Sequence, residues 1–367
     1  MSTNLTSRRN FAKAMMAAAA APLWNPLPGR AEVRQQRKLG FALVGLGSLS
    51  TNQIAPALQK TTHCRLAGIV TGTPAKAERW KAQYGLPDDC VYDYPSMGRM
   101  ADNPDIDVVY VVTPNALHAE HTILATRAGK HVLCEKPMEV TPEKCEQMIA
   151  ECRRAERQLA IGYRCRFEPH HLECARLAHE ETFGKLRLVN AGFGFTIGDP
   201  RQWRLDHALA GGGPLMDVGV YALQAARMLA AEEPILVTAV ETKTDPVKFR
   251  SVEEAMSFQL TFPSGVIASC LTSYNAQGMN FFSAFADRGA FGLNAAYGYS
   301  GQNGWRSDGG ELRFDAVDHF ATQMDDFAQC ILNERPTRVP GEEGLRDVRI
   351  MMAIYQAARS GSAVKLG

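Results

Sequence analysis

Two short stretches carry side chains whose types and spacing suit proton transfer. Asp217 and Tyr221 stand four residues apart in Met216-Asp217-Val218-Gly219-Val220-Tyr221, just after Gly211-Gly212-Gly213. That spacing puts both on one face of a helix. A tyrosine, with a pKa near ~10, is a poor base at neutral pH, but an adjacent cation can bring it into catalytic range. Lys136, in Glu135-Lys136-Pro137, could be that cation. It follows a short apolar stretch, residues 131–134, that reads as a buried strand, and the carboxyl ends of parallel strands point into the ligand crevice. Pro137 restricts the backbone beside it. Asp217 would then orient a substrate hydroxyl. Plainer alternatives stand next to each of these. Lys136 could form a surface ion pair with Glu135, Asp217 could be a helix-start residue, and Tyr221 could be a core aromatic.

The elements that must position these groups fall into two regimes. Residues 39–44 form a continuous apolar run, as in a strand buried on both faces. Strand and helix patterns then alternate: strands at 65–70, 108–112, 131–134 and 159–162, with helices at 73–84, 117–128 and 142–157. Alternation of this kind calls for a parallel sheet with crossover helices. Beyond Tyr163 the rhythm changes. Residues 186–195, 256–262, 266–272 and 281–286 read as strands, Pro263-Ser264-Gly265 as a hairpin turn, and 169–181, 215–229, 319–333 and 343–360 as helices. The expected fold is an α/β Rossmann domain with a doubly wound, mostly parallel sheet, joined to an α+β domain with a mostly antiparallel sheet. The expected divisions are a signal segment over 1–31, a short linker over 32–38, a nucleotide domain over 39–162 and a substrate domain over 163–367.

A dinucleotide is the expected occupant of the first domain. Gly45-Leu46-Gly47-Ser48-Leu49-Ser50 follows the first strand and opens a helix, a context in which free backbone N–H groups can face a pyrophosphate. Ser50 replaces the third glycine of the usual fingerprint, and a tight turn without ligand is the alternative. After the second strand comes Val70-Thr71-Gly72-Thr73, with Lys76 just beyond and no acid. A carboxylate there would bind the ribose hydroxyls of NAD. Hydroxyls, helix-start N–H groups and a lysine suit a 2′-phosphate, hence NADP.

Composition excludes several classes. The 367 residues allow two domains, and a formal net charge of +1 offers no electrostatic basis for binding nucleic acid or an anionic membrane. Nine cysteines, none in a C-x-x-C pair, read as buried thiols rather than a disulfide framework. His118 with His121, and His170 with His171, lack a further ligand, so no metal centre is expected. Ser7-Arg8-Arg9-Asn10-Phe11-Ala12-Lys13, followed by a small apolar run, is a twin-arginine export pattern too short to span a bilayer. The mature chain is therefore expected in the periplasm, off the membrane.

Gly45-x-Gly47, Thr113-Pro114-Asn115-x-x-His118, Glu135-Lys136-Pro137 and Asp217-x-Gly219-x-Tyr221 together resemble the Gfo/Idh/MocA oxidoreductase family, in particular its periplasmic glucose–fructose oxidoreductase branch. Further matching stretches are Tyr92-Asp93-Tyr94, Ile161-Gly162-Tyr163-Arg164-Cys165 and Gln202-Trp203-Arg204-Leu205. The resemblance implies an open-faced second sheet, a homo-oligomer (dimer or tetramer) built on it, and tightly bound NADP that cycles between two sugars. One sugar is a cyclic aldose oxidised at C1 to its lactone. The other is fructose reduced to sorbitol, or an aldose reduced to an alditol. It implies Lys136 and Tyr221 as the acid–base pair, with Asp217 positioning substrate. It places Thr71, Lys76, Trp203 and Arg204 at the adenosine end, and Asn115, His118 and Glu135 around the nicotinamide. Gly45, Gly47, Ser48, Leu49, Gly72, Tyr94, Pro114, Lys136 and Arg164 complete the expected cofactor contacts. The chain departs from the family pattern in its short arm, residues 32–38, and in the glycine-rich stretch 275–314. An NAD-dependent glycoside hydrolase of the same superfamily and a non-catalytic NADP-binding sensor are the rival readings.

Overall fold

The structure is a computed structural model that describes residues 37–367; the twin-arginine segment and most of the linker lie outside the described residues. The first six strands are β1 (Leu39–Val44), β2 (Cys64–Val70), β3 (Val91–Tyr92), β4 (Val108–Val111), β5 (His131–Cys134) and β6 (Leu159–Ile161). They form one parallel sheet in the order β3-β2-β1-β4-β5-β6. Reversal of strand order between β1 and β4 opens a crevice at their carboxyl ends. The crossover helices are α1 (Ala55–Leu58), α2 (Pro74–Tyr84), α3 (His118–Arg127) and α4 (Pro142–Arg154). All six residues of β1 are buried, which accounts for its unbroken apolar sequence. The helix expected after Gly47 is split: Ser50–Ile54 is a wide π turn that passes into the short α1.

The rest of the chain holds α5 (Pro169–His179), β7 (Leu186–Gly194), α6 (His207–Ala210), α7 (Val220–Ala230), β8 (Leu236–Thr242), β9 (Ala255–Thr261), β10 (Ile267–Ser273), β11 (Asn280–Ala286), β12 (Gly289–Asn294), β13 (Asn303–Arg306), α8 (His319–Leu332), α9 (Gly341–Ser360) and β14 (Val364–Lys365). Eight strands make one sheet in the order β13-β12-β11-β7-β10-β9-β8-β14, antiparallel except for the β7–β10 pair. Gly265, at φ +88°, turns β9 into β10 as the sequence implies. Strands β3, β8, β12, β13 and β14 carry no such signal. β3 and β14 are two residues long, β12 and β13 are glycine-bearing, and β8 has only Val237 fully buried, so its alternation is weak.

Helix α8 returns to the first domain. Asp325 accepts the backbone N–H groups of Thr62 (2.9 Å) and His63 (2.7 Å), and Gln323 donates to the Tyr110 hydroxyl (3.1 Å). One large apolar core runs through both sheets. Among the described residues no helix is long and apolar enough to cross a membrane.

Candidate active site

A cleft of ≈ 660 Å³ runs along the carboxyl ends of the parallel strands. Gly45 forms its floor at φ +91°, where a Cβ would lie 2.8 Å from the Val112 carbonyl, so only glycine fits. At Gly47 a Cβ would meet nothing within 4 Å, leaving open space beside the backbone. Ser50, in place of the third glycine, is fully buried and donates to the Gly45 carbonyl at 2.5 Å, tying the loop to the turn that follows. At the far end Thr71, Gly72, Thr73 and Lys76 line the cleft; the carboxylates among its lining residues, Glu135 and Asp217, belong to the end beside Lys136. A dinucleotide fits these residues: open glycine backbone for the pyrophosphate, and hydroxyls with a lysine at the adenosine end.

Asn115, Pro114, His118, Tyr94, Trp203 and Glu135 line the same cleft. Asn115 is 4% exposed and donates to the Ala210 carbonyl (2.9 Å), joining the two halves of the chain. His118 is buried between the backbone carbonyls of Thr113 (Nε2, 2.8 Å) and Pro137 (Nδ1, 3.0 Å), and so clamps the ends of β4 and β5 together. His121 stacks on Tyr94. His170 and His171 both bond Glu168 (2.6 and 2.8 Å). Among the described residues no His, Cys, Asp and Glu cluster suits a metal ion.

The surface ion pair between Lys136 and Glu135 does not form. Glu135 is buried and accepts from the Tyr110 hydroxyl (2.6 Å). Burial raises its pKa, against the pull of Lys136 and Tyr110. Lys136, ahead of a cis bond to Pro137, instead crosses to the second domain. It donates to the Asp217 carbonyl (2.7 Å), with its Nζ 3.6 Å from Asp217 Oδ1 and 4.7 Å from the centre of the Tyr221 ring.

Asp217 and Tyr221 do share a face, but through a wide π turn, Leu215–Gly219, that leads into α7. The glycine triplet permits the close approach that seats this turn. The N–H groups of Gly213 and Leu215 bond the Glu253 carboxylate (2.8 and 3.1 Å), which also accepts from Tyr355 (2.8 Å). Asp217 is held from three sides, by Arg204 (2.9 Å), Tyr274 (3.0 Å) and Lys136. Burial pushes its carboxyl up, but Arg204, Lys136 and Tyr274 together hold it down at about 2, so it is ionised. For Tyr221 burial wins and the phenol is pushed up. The strongest opposing influence is Arg164, not Lys136 as the sequence suggested.

A second cleft of ≈ 470 Å³ meets the first at Lys136, Asp217, Arg204 and Gln202. Its walls are aromatic, with Phe193, Phe195, Tyr221, Tyr297, Tyr299 and Phe320 around a few polar groups, a composition suited to a small polar substrate with apolar faces. Two expected cofactor residues, Arg164 and Arg204, line the second cleft. Arg164 lines this second cleft and not the first, because its guanidinium is drawn under Tyr221 and Tyr299 (5.1 and 4.8 Å). Arg204 is bonded to Asp217 and stacked on Trp203, so it stands where the clefts meet rather than only at the adenosine end. Tyr274 and the aromatic wall other than Tyr221 escaped the sequence reading. They come from the ends of β7 and β10, from the glycine-rich stretch after β12 and from the start of α8, where no motif marks them.

Fold and site define a nicotinamide-dependent oxidoreductase whose dinucleotide domain is joined to an open-sheet substrate domain. Residues 39–163 match the Gfo/Idh/MocA profile described as an oxidoreductase family with an NAD-binding Rossmann fold, and residues 171–292 match the GFO/IDH/MocA C-terminal domain. D-xylose 1-dehydrogenase [NADP(+)] of Haloarcula marismortui is 31% identical over 89% of this chain and 92% of that protein. D-xylose 1-dehydrogenase (NADP(+)) 2 of Haloferax volcanii is 28% identical, over 89% and 99%. The crystal structure of aldose-aldose oxidoreductase from Caulobacter crescentus, complexed with glycerol, superposes with a TM-score of 0.87 at 46% identity, covering 90% of this chain and all of that one. The chain belongs to the Gfo/Idh/MocA family and is a sugar oxidoreductase of that type.

Proposed function

We propose that this enzyme uses NADP, held through the cycle, to oxidise a cyclic aldose at C1 to its lactone and then to reduce a second sugar in the same cleft. When bound, the nicotinamide supplies hydride acceptance and donation. Asp217, ionised and fixed by Arg204 and Tyr274, accepts a sugar hydroxyl and orients the ring. Tyr221 takes the C1 hydroxyl proton as the lactone forms, and returns a proton to the carbonyl oxygen of the sugar being reduced. Lys136 holds Asp217 and Tyr221 in register through its contacts with both.

One observation carries this reading: the aromatic cleft meets the dinucleotide cleft at Lys136 and Asp217, with Tyr221 in its wall. A single sugar cleft suits a cycle in which the first product leaves before the second sugar enters. The acid-free end beside Thr71 and Lys76, and the NADP-dependent relatives, support NADP. Likeness to an aldose–aldose oxidoreductase supports an aldose as the acceptor ahead of fructose. Export by the twin-arginine route and a homo-oligomer built on the open sheet belong to the same proposal.

The test is to purify the protein without added cofactor and follow the near-ultraviolet absorbance of reduced nicotinamide. Glucose alone should raise it, and a second sugar should lower it again without added NADP. Tyr221→Phe and Lys136→Ala should each lose at least ~100-fold of this response, the scale of a lost acid–base group. Full response in both variants defeats the mechanism. A protein that binds NADP yet stays silent with sugars is a sensor.

A further inference from the structure

Arg164 is a buried cation that shares its cleft with the buried carboxyl of Glu135 but forms no ion pair with it. It is 2% exposed, and its N–H groups go to the carbonyls of Tyr297 (2.6 Å) and Gly298 (3.0 Å) and to His319 Nδ1 (3.1 Å). Its Nε is buried with no acceptor, and among the described residues no carboxylate forms an ion pair with it. A buried guanidinium is destabilising unless an opposite charge forms nearby. The ring faces around it belong to Tyr221 (5.1 Å), Tyr299 (4.8 Å) and Phe320 (5.7 Å). Of these, only Tyr221 stands beside Lys136 and Asp217, where the clefts meet.

We propose that Arg164 is a positioning residue whose charge supports the phenolate of Tyr221, and that the enzyme therefore needs it for sugar oxidation but hardly for sugar reduction. This rests on Tyr221 being the acid–base group. Oxidation requires Tyr221 to give up its proton before taking that of the C1 hydroxyl. Reduction requires the phenol protonated, the form that burial already favours.

The other charges facing Tyr221 do not replace Arg164. At the end of β5, Glu135 opposes the phenolate, while Lys136, 4.7 Å from the ring centre, is bonded to the Asp217 carbonyl and close to its carboxylate. Cys165, from the turn after β6, also opposes it. Arg166 of the same turn faces Glu343. His171 of α5 is bonded to Glu168, and Asp217 is itself negative. Tyr297 and Tyr299 are phenols pushed up by burial, as is Tyr110 behind Glu135, and His319 of α8 is held neutral by burial and Arg164.

The test compares both half-reactions in single turnover across pH, with glucose as donor probe and xylose or fructose as acceptor probes. Arg164→Gln keeps N–H donors for the loop carbonyls but removes the charge, and Arg164→Lys keeps the charge. In Arg164→Gln the rising limb of the oxidation rate should move up by at least about one pH unit, a roughly tenfold loss near neutrality. Reduction should change by less than about threefold, and Arg164→Lys should hold the limb in place. Equal loss of both half-reactions, or an unmoved limb in Arg164→Gln, overturns the proposal. Lys136→Met gives a second test that does not depend on how Arg164→Gln folds: its limb should move by less than about one unit, and a larger displacement overturns the proposal too. Sugar-dependent turnover persisting in Tyr221→Phe would defeat the underlying mechanism, whereas a silent Tyr221→Phe with an unmoved limb in Arg164→Gln defeats this inference alone.

Discussion

Asp217 shows how much of the site's chemistry is settled by what surrounds one side chain. Its carboxylate lies 14% exposed among Arg204, Tyr274 and Lys136 and is held at about 2, below the ordinary 3.8. A depressed carboxylate contributes stability that is present above the unfolded value and is lost as pH falls through the folded one. Asp217→Asn should therefore destabilise the protein by about 2 kcal/mol at neutral pH, a buried-pair cost discounted because Arg204 is one-third exposed. The difference from wild type should shrink between pH ~4 and pH ~2. Urea unfolding across that range checks this, and a deficit that stays constant with pH would mean that packing, not charge, is at fault. Asp217 and Tyr221 could be picked out in the sequence because their four-residue spacing is local, and Lys136, 81 residues from Asp217, because it ends a buried strand. Arg164 was expected only as a cofactor contact, through the resemblance, and Tyr274 not at all, because each meets Tyr221 or Asp217 only through tertiary contacts.

At the scale of elements, the turn bearing Asp217 depends on glycine for room rather than for flexibility. A Cβ on Gly212 would lie 1.9 Å from the Tyr355 hydroxyl, which bonds Glu253, and Glu253 anchors the N–H groups of Gly213 and Leu215. Gly212→Ala should cost about 1–3 kcal/mol through overpacking. It should also lower kcat while leaving NADP(H) affinity intact, because the displaced turn carries Asp217 and leads into Tyr221, and is not the dinucleotide loop. Chemical denaturation and fluorescence titration with NADPH separate the two effects; unchanged stability with unchanged kcat would refute them together. The parallel strands were readable because burial on both faces leaves continuous apolar runs. Strands β8, β12 and β13 were not: β12 and β13 carry glycine, and β8, covered on its outer side by only the two residues of β14, buries too few side chains to show the alternation of a half-buried strand.

For the whole molecule, the exposed face of the second sheet carries a cross-strand row of apolar residues. Leu188 is 50% exposed, opposite Ile267 (39%) and Phe285 (41%) in register. Apolar side chains gathered on an open sheet suit a self-associating surface. Leu188→Asp combined with Phe285→Asp should shift the expected oligomer to monomer in sedimentation velocity, and an unchanged sedimentation coefficient would place assembly elsewhere. Local pattern alone determined that a parallel α/β sheet precedes an antiparallel one, that a dinucleotide loop follows β1, and that Lys136, Asp217 and Tyr221 are the groups to watch, since strand ends and helix faces follow from periodicity. Only the tertiary structure decided that Lys136 turns from Glu135 to Asp217, that Arg204 stands between the clefts, and that Arg164 faces Tyr221. Those choices depend on which buried charges find partners once two sheets and a returning helix have closed around them, and no spacing along the chain records that.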